Sequence, residues 1–239
     1  MDQDADIFLA GLDPGTHVVR ERELLPRLAP EEQARYHSFS AEPRRHTWLA
    51  GRELLLAALA HRAGEPDAAA LLTEASGGVR YAGGRVYLNL SHSGEWLAAA
   101  VSRVPVGIDI ERLRPRAVAA QVERIFCEDE TRWLKRQAEP LLAFYTLWTL
   151  KEAACKAAGL TIWDALRSAC FDPESGRCSL SPPFPTGDWC FLHASFQPGW
   201  RLALALHGLA GTPRVGYLRR AGERWEESPL PDAARVTAA

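Results

Sequence analysis

Three carboxylates stand in segments that look otherwise apolar: Asp109 and Glu111 in VGIDIER (106–112), and Glu152 in WTLKEAACKAAG (148–159). An oxygen-only ligand set of this kind suits a hard divalent cation, Mg2+ or Mn2+, and such ions usually bring phosphates with them. Lys151 and Lys156 would supply point charges to phosphate oxygens, and Arg35, Arg44, Arg45, Arg52 and Arg80 are candidates for further anion contacts. Taken singly, each feature is ordinary. Acids on one strand face are commonly its solvated side, and a Glu–Lys pair four apart is commonly an exposed ion pair. Their combination is what points to a site. His92, in NLSHSG, joins Ser91 and Ser93 in a polar cluster with ample hydrogen-bonding capacity. There is no GxSxG elbow, P-loop, GxGxxG or HExxH pattern, so nothing supports serine-hydrolase, nucleotide-triphosphate or zinc-protease chemistry.

The elements that must position these groups follow from periodicity. Asp109 and Glu111 alternate with Val106, Ile108 and Ile110, so a strand places both acids on one face. Glu152 and Lys156 share a helix face one turn after Trp148. The order of elements repeats. WLAGRELLLAALAHRAG (48–64) and WTLKEAACKAAG each read as a helix closed by a glycine. YLNLSHSGEWLAAAV (87–101) and FLHASFQPGWRLALA (191–205) align without gaps as hairpins, with Ser91 matching Ser195 and Trp96 matching Trp200. A strand beginning Val-Gly then follows each: VGIDIER and VGYLRR. The expected fold is α+β: a pseudo-dimer of two similar halves, residues 1–112 and 113–220, each with a helix on a small, mainly antiparallel sheet, and one cleft between them. The acids occur in one half only, so one site per chain is expected. The tail 221–239, with its prolines, is expected to be flexible.

Composition narrows the setting. With 239 residues, 47% of them hydrophobic, the chain can bury an ordinary core. A net charge of -2 argues against nucleic acid as a partner. Five cysteines without CxxC or zinc spacing read as free thiols of a reducing compartment. The acidic start MDQDADIF is unlike a signal peptide, and runs such as LLLAALA (54–60) are too short to span a membrane, so a cytoplasmic location is expected.

NLSHSGEW, then GIDIE, then LWTLKEAACKAAG resemble, in order and spacing, the 4'-phosphopantetheinyl transferases of the single-chain type that serves secondary-metabolite and siderophore synthesis. More loosely, the resemblance runs from APEEQARYHSF (29–39) to about residue 160, with a continuation to about 218. It implies transfer of 4'-phosphopantetheine from coenzyme A, with Mg2+ (Mn2+ as the alternative), to a serine of an acyl or peptidyl carrier protein, releasing 3',5'-ADP. Carried over to these positions, Asp109, Glu111 and Glu152 would hold the metal. Glu152, or a water it orients, would take the serine proton, and Lys156 would stabilise or protonate the departing phosphate. Ser91, His92 and Lys151 would hold the coenzyme's phosphates. Two positions depart from the family pattern: Glu32 stands where a lysine is common, and Val79 where a basic residue is usual, leaving Arg35, Arg80 and Arg44 or Arg45 to anchor the adenosine 3'-phosphate. Val118, Val122 and Ile125 form one helical face flanked by Arg114, Arg116 and Arg124, an expected docking surface for acidic carrier helices. The complete cleft implies a monomer. Two other readings stay open: a metal-dependent phosphodiesterase acting on coenzyme A, and a non-catalytic module binding carrier protein or coenzyme A.

Overall fold

The computed structural model describes residues 3–64, 68–69, 72–75, 78–83, 86–115, 125–209, 212–221, 224–227 and 233–238. The N-terminal part runs β1 (Ala5–Gly11), α1 (His17–Glu23), α2 (Pro30–Ser38), α3 (Glu42–Ala63), β2 (Leu72–Ala75), β3 (Gly78–Tyr81), β4 (Tyr87–Ser93), β5 (Trp96–Ser102) and β6 (Val106–Arg112). After it come α4 (Glu128–Arg136), α5 (Pro140–Ala158), the single turn α6 (Ile162–Ala165), β7 (Ala169–Asp172) and β8 (Arg177–Leu180). The chain ends with β9 (Trp189–Ala194), β10 (Trp200–His207), β11 (Val215–Ala221), β12 (Arg224–Glu227) and β13 (Ala234–Ala238).

The strands form a five-stranded sheet, β12-β11-β1-β5-β4, a six-stranded sheet, β6-β10-β9-β13-β8-β7, and the small β2-β3 ribbon. Most pairings are antiparallel; β1 with β11 and β13 with β8 are parallel. The fold is mixed α+β. Ile7, Leu9, Ala98 and Ala100 of the first sheet pack with Ile108, Ile110, Leu202 and Leu204 of the second. On its other face the first sheet carries α3, through Leu54, Leu55, Ala58 and Leu59. The second sheet carries α5 in the same way, through Ala153, Ala154, Ala203 and Ala205. Both long helices have proline in their first turn and end at a left-handed glycine, Gly64 at φ 68° and Gly159 at φ 69°. These are the caps their sequences suggest.

The boundary expected at residue 112 does not separate the sheets. β6 pairs with β10 in the second sheet, and β11 pairs with β1 in the first, so each sheet takes a strand from the other side of that boundary. Within residues 221–239, β12 pairs with β11, and β13 fits between β9 and β8. An open ladder attracts any segment able to supply hydrogen bonds and one apolar side chain. Val236, fully buried opposite Phe191, is that side chain. The free-thiol reading holds for Cys155, Cys178 and Cys190, but Cys127 and Cys170 form a disulfide. The tertiary fold brings their Cα atoms to 6.1 Å across a sequence separation of 43, within a cystine's reach. No helix among the described residues is long and apolar enough to cross a membrane.

Candidate active site

The site is built where the edges of the two sheets meet. β4 lies beside β6 without joining its ladder; side chains make the connection instead. Asn89 Oδ1 accepts the Ile108 N–H at 3.0 Å, Ser91 Oγ accepts that of Ile110 at 3.4 Å, and Ser93 Oγ accepts that of Arg112 at 3.1 Å. The two serine hydroxyls also aim the acids. Ser91 donates to Asp109 Oδ1 at 2.8 Å, and Ser93 donates to Glu111 Oε2 at 2.8 Å. The period-two spacing of the β4 serines matches that of the β6 acids.

The opposite wall is α5. A Cβ on Gly107 would lie 2.0 Å from the Ala153 carbonyl oxygen and 2.5 Å from the Ala157 nitrogen, so helix and strand touch backbone to backbone. That approach lets Lys156 Nζ donate to Asp109 Oδ1 at 2.8 Å, to the Ile108 carbonyl at 3.0 Å and to Ser91 Oγ at 3.1 Å. Glu152, one turn earlier and half-buried, has its pKa pushed up to about 7 by burial first and then by the charges of Asp109 and Glu111, against the pull of Lys156. The strand and helix segments singled out in the sequence are therefore electrostatic neighbours in space.

Around the corner of β4 is a cavity of about 570 Å³ lined by Arg35, Phe39, Arg44, Trp48, Arg52 and His92, among others. The Arg35 and Arg44 guanidinium groups both lie over the Phe39 ring, at 4.8 and 4.6 Å. His92 links cavity and acids. It is exposed, and its pKa is lowered by desolvation, by Lys156 and by Arg44, with Asp109 opposing.

Other expected site residues are placed differently. Lys151 is fully buried behind the acidic face, 2.9 Å from Glu130, with Nζ also donating to the Leu166 carbonyl at 2.7 Å and to that of Ala169. It cannot reach phosphate from there, because consecutive helix positions point in different directions. Burial pushes the Glu130 carboxyl up and the Lys151 ammonium down, each resisted by the other's charge. Ser91 spends its hydroxyl on Asp109 and Lys156 rather than facing the cavity. Arg52 lines the cavity but is buried against Glu32, with its guanidinium 4.2 Å over the Trp48 ring. Glu32, the departure from a lysine pattern, is thus the partner of a buried arginine. Arg45 donates to the Phe39 carbonyl at 2.9 Å, and Arg80 is exposed on β3 opposite Thr73; neither lines the cavity. Arg114 is exposed, its carbonyl accepting from the Tyr145 hydroxyl at 3.3 Å. Arg116, Val118, Val122 and Arg124 lie outside the described residues.

Sequence reasoning missed Gly107, Glu130, Phe39 and Trp48. Only Gly107 carried a signal, since a glycine inside a strand commonly marks a close approach.

Lys156 pairs with Asp109, and Glu152 feels the charges of Asp109, Lys156 and Glu111, so these four side chains form one electrostatic cluster. Residues 105–205, which carry β6, α5 and β10, match the 4'-phosphopantetheinyl transferase superfamily. The chain is 38% identical over 89 residues to the 4'-phosphopantetheinyl transferase gsp of Aneurinibacillus migulanus, covering 36% of this chain and 37% of that one. It is 36% identical over 135 residues to psf-1 of Bacillus pumilus, covering 55% and 58%. To Sfp of Bacillus subtilis (strain 168) it is 37% identical over 122 residues, covering 49% and 54%. These matches span between about a third and three-fifths of the relatives' own lengths, and over those stretches the chain is similar to proteins named 4'-phosphopantetheinyl transferases.

Proposed function

We propose that this protein transfers the 4'-phosphopantetheine group of coenzyme A to a serine hydroxyl of an acyl or peptidyl carrier protein, releasing 3',5'-ADP. In this reading the two sheet-and-helix units act as a pseudo-dimer with one working cleft, and the chain works as a cytoplasmic monomer. The observation that carries the proposal is Asp109 Oδ2: it is buried without a hydrogen-bond partner, while Oδ1 is held by Ser91 and Lys156. A buried carboxylate oxygen left bare costs free energy unless something binds it.

The donor chemistry of these residues suits a divalent ion: all three are carboxylates, and one of their oxygens is buried and bare. Three carboxylates and one ammonium sum to two negative charges, and after burial the charges of Asp109 and Glu111 also push the Glu152 pKa up. Asp109, through Oδ2, with Glu111 and Glu152 would hold Mg2+ or Mn2+. The ion would supply Lewis-acid stabilisation of charge on the pyrophosphate.

The chain's own groups account for the rest. Arg35, Arg44 and His92 bind the phosphate-bearing end of coenzyme A in the cavity, with the guanidinium groups held ready by Phe39. Glu152, or a water it orients, accepts the carrier serine's proton as its oxygen attacks the β-phosphorus. Lys156, anchored on Asp109 and the Ile108 carbonyl, stabilises the departing phosphate of 3',5'-ADP. Arg114, with Arg116, Arg124, Val118 and Val122, is proposed to receive the carrier.

The test is incubation with coenzyme A, Mg2+ and a panel of apo carrier proteins, followed by intact mass. An EDTA-sensitive gain of about 340 Da, the mass of the transferred arm in this reaction, is expected on at least one carrier. Metal-dependent hydrolysis of coenzyme A with no carrier modified would replace the proposal by a phosphodiesterase.

A further inference from the structure

Behind the acidic face is a buried clamp that the proposed transfer does not use. Glu130 accepts the Cys127 N–H and the Phe171 N–H, both at 2.9 Å, and pairs with Lys151. Lys151 in turn holds the carbonyls of Leu166 and Ala169. Three pieces of the fold are joined here: the first turn of α4, the start of β7, and α5 at the residue before Glu152. The disulfide lies at the same junction. Cys127 is the N-cap of α4, and its own N–H is one that Glu130 holds. Cys170 sits between Ala169 and Phe171, whose backbone groups Lys151 and Glu130 hold. The cystine is therefore a covalent parallel to the hydrogen bonds of the clamp. Both its cysteines are half-buried, whereas Cys155, Cys178 and Cys190 are buried.

A metal centre competes for the same atoms, because the two sulfurs and a Glu130 oxygen lie within 4.8 Å of one another. Glu130, however, already serves two N–H groups and the Lys151 ammonium, and a cation beside that ammonium would be repelled.

We propose that Cys127–Cys170 is a reversible thiol–disulfide site for low-molecular-weight thiols and disulfides, and that its closure locks the Glu130–Lys151 clamp that fixes the helix carrying Glu152. Opening consumes two thiols: the S–S bond breaks, two electrons and two protons pass to Cys127 and Cys170, and the reductant leaves as RSSR. Because the bond closes a long loop, its loss frees the unfolded chain as well as the junction. Any consequence for transfer rests on the function proposed above.

The full-length protein would be compared after oxidation with diamide and after reduction with dithiothreitol. Alkylation in denaturant should add three adducts to the oxidised form and five to the reduced form. The reduced form should melt roughly 5–10 °C lower, and its Cys127 and Phe171 amides should exchange at least ~10-fold faster. A Cys127→Ser/Cys170→Ser variant should melt and exchange as the reduced form does in both buffers, with three adducts in each. Five adducts in both states, equal melting and exchange in the two states, or Co2+ binding to the reduced form with a sulfur-to-metal absorption band would each overturn the inference. If neither form modifies a carrier, the transferase reading fails, while mass, melting and exchange still decide this one.

Discussion

Gly107→Ala is the smallest change that should disable the site without touching a charged group. The added Cβ would stand 2.0 Å from the Ala153 carbonyl oxygen and 3.0 Å from the carbon behind it, and both are backbone atoms of α5 that no rotamer change can move. Relieving the clash requires the strand and helix to part by about 1 Å or more, an overpacking cost of about 1–3 kcal/mol. In a chain of this size that lowers Tm by roughly 3–10 °C. Lys156 lies one turn from Ala153 and moves with it, so its bonds of 2.8 Å to Asp109 and 3.0 Å to the Ile108 carbonyl would stretch beyond hydrogen-bonding range. A displacement of 1 Å at reacting groups costs about 100-fold in rate. The assay is carrier modification by intact mass, at a temperature where circular dichroism shows the variant folded. Gly11→Ala is the control: nothing lies within 4 Å of its added Cβ, and its stability should stay within about 0.5 kcal/mol of the parent. A Gly107→Ala protein that works within about threefold of the parent, or melts with it, would refute the claim that backbone contact between β6 and α5 sets the site.

Three further outcomes are expected. Lys156→Ala should lower kcat for transfer by about 100-fold while the KM for coenzyme A changes little, since its contact matters most as the phosphate departs; a change in KM alone would make it a binding residue. Glu130→Gln removes the charge that resists the effect of burial on Lys151 and leaves it a weaker partner, and should cost about 3–5 kcal/mol in denaturant unfolding; a loss below 1 kcal/mol would show that the clamp is dispensable. His193, on β9, is buried with neither ring nitrogen hydrogen-bonded, and burial first, then Arg201, lowers its pKa to about 4. Its folded-state pKa is below the unfolded value near 6.5, so the unfolded chain takes up the proton first. The neutral ring's contribution is whole above pH ~6.5 and is lost between there and pH ~4, about 3 kcal/mol in all. His193→Leu should flatten that limb of the stability–pH curve, and an unchanged slope would remove His193 as its cause.

Periodicity was enough to lay out the local elements: the two hairpins, the strand with both acids on one face and the two glycine-capped helix ends stand where the sequence pattern puts them, although the helices begin earlier than Trp48 and Trp148, at Glu42 and Pro140. Each depends on neighbours a few residues apart, and chain geometry fixes those. The spacing also singled out Asp109, Glu111, Glu152 and Lys156, because residue type and face are local properties. What the sequence could not settle was which partner each charge would meet. Lys151 and Lys156 are equivalent as residue types. Only the packing of α5 on Gly107 turns Lys156 to Asp109 and leaves Lys151 to Glu130, a residue 21 positions upstream. Arg52 looked like an anion ligand until α2 brought Glu32 to it, and Cys127 looked like a free thiol until β7 brought Cys170. The final strands, β12 and β13, depended on open sheet edges that local pattern does not report. Face and periodicity come from the helix turn and the strand pleat, so the sequence determined them. Which groups share a buried space depends on contacts between distant segments, and the tertiary structure alone decided those.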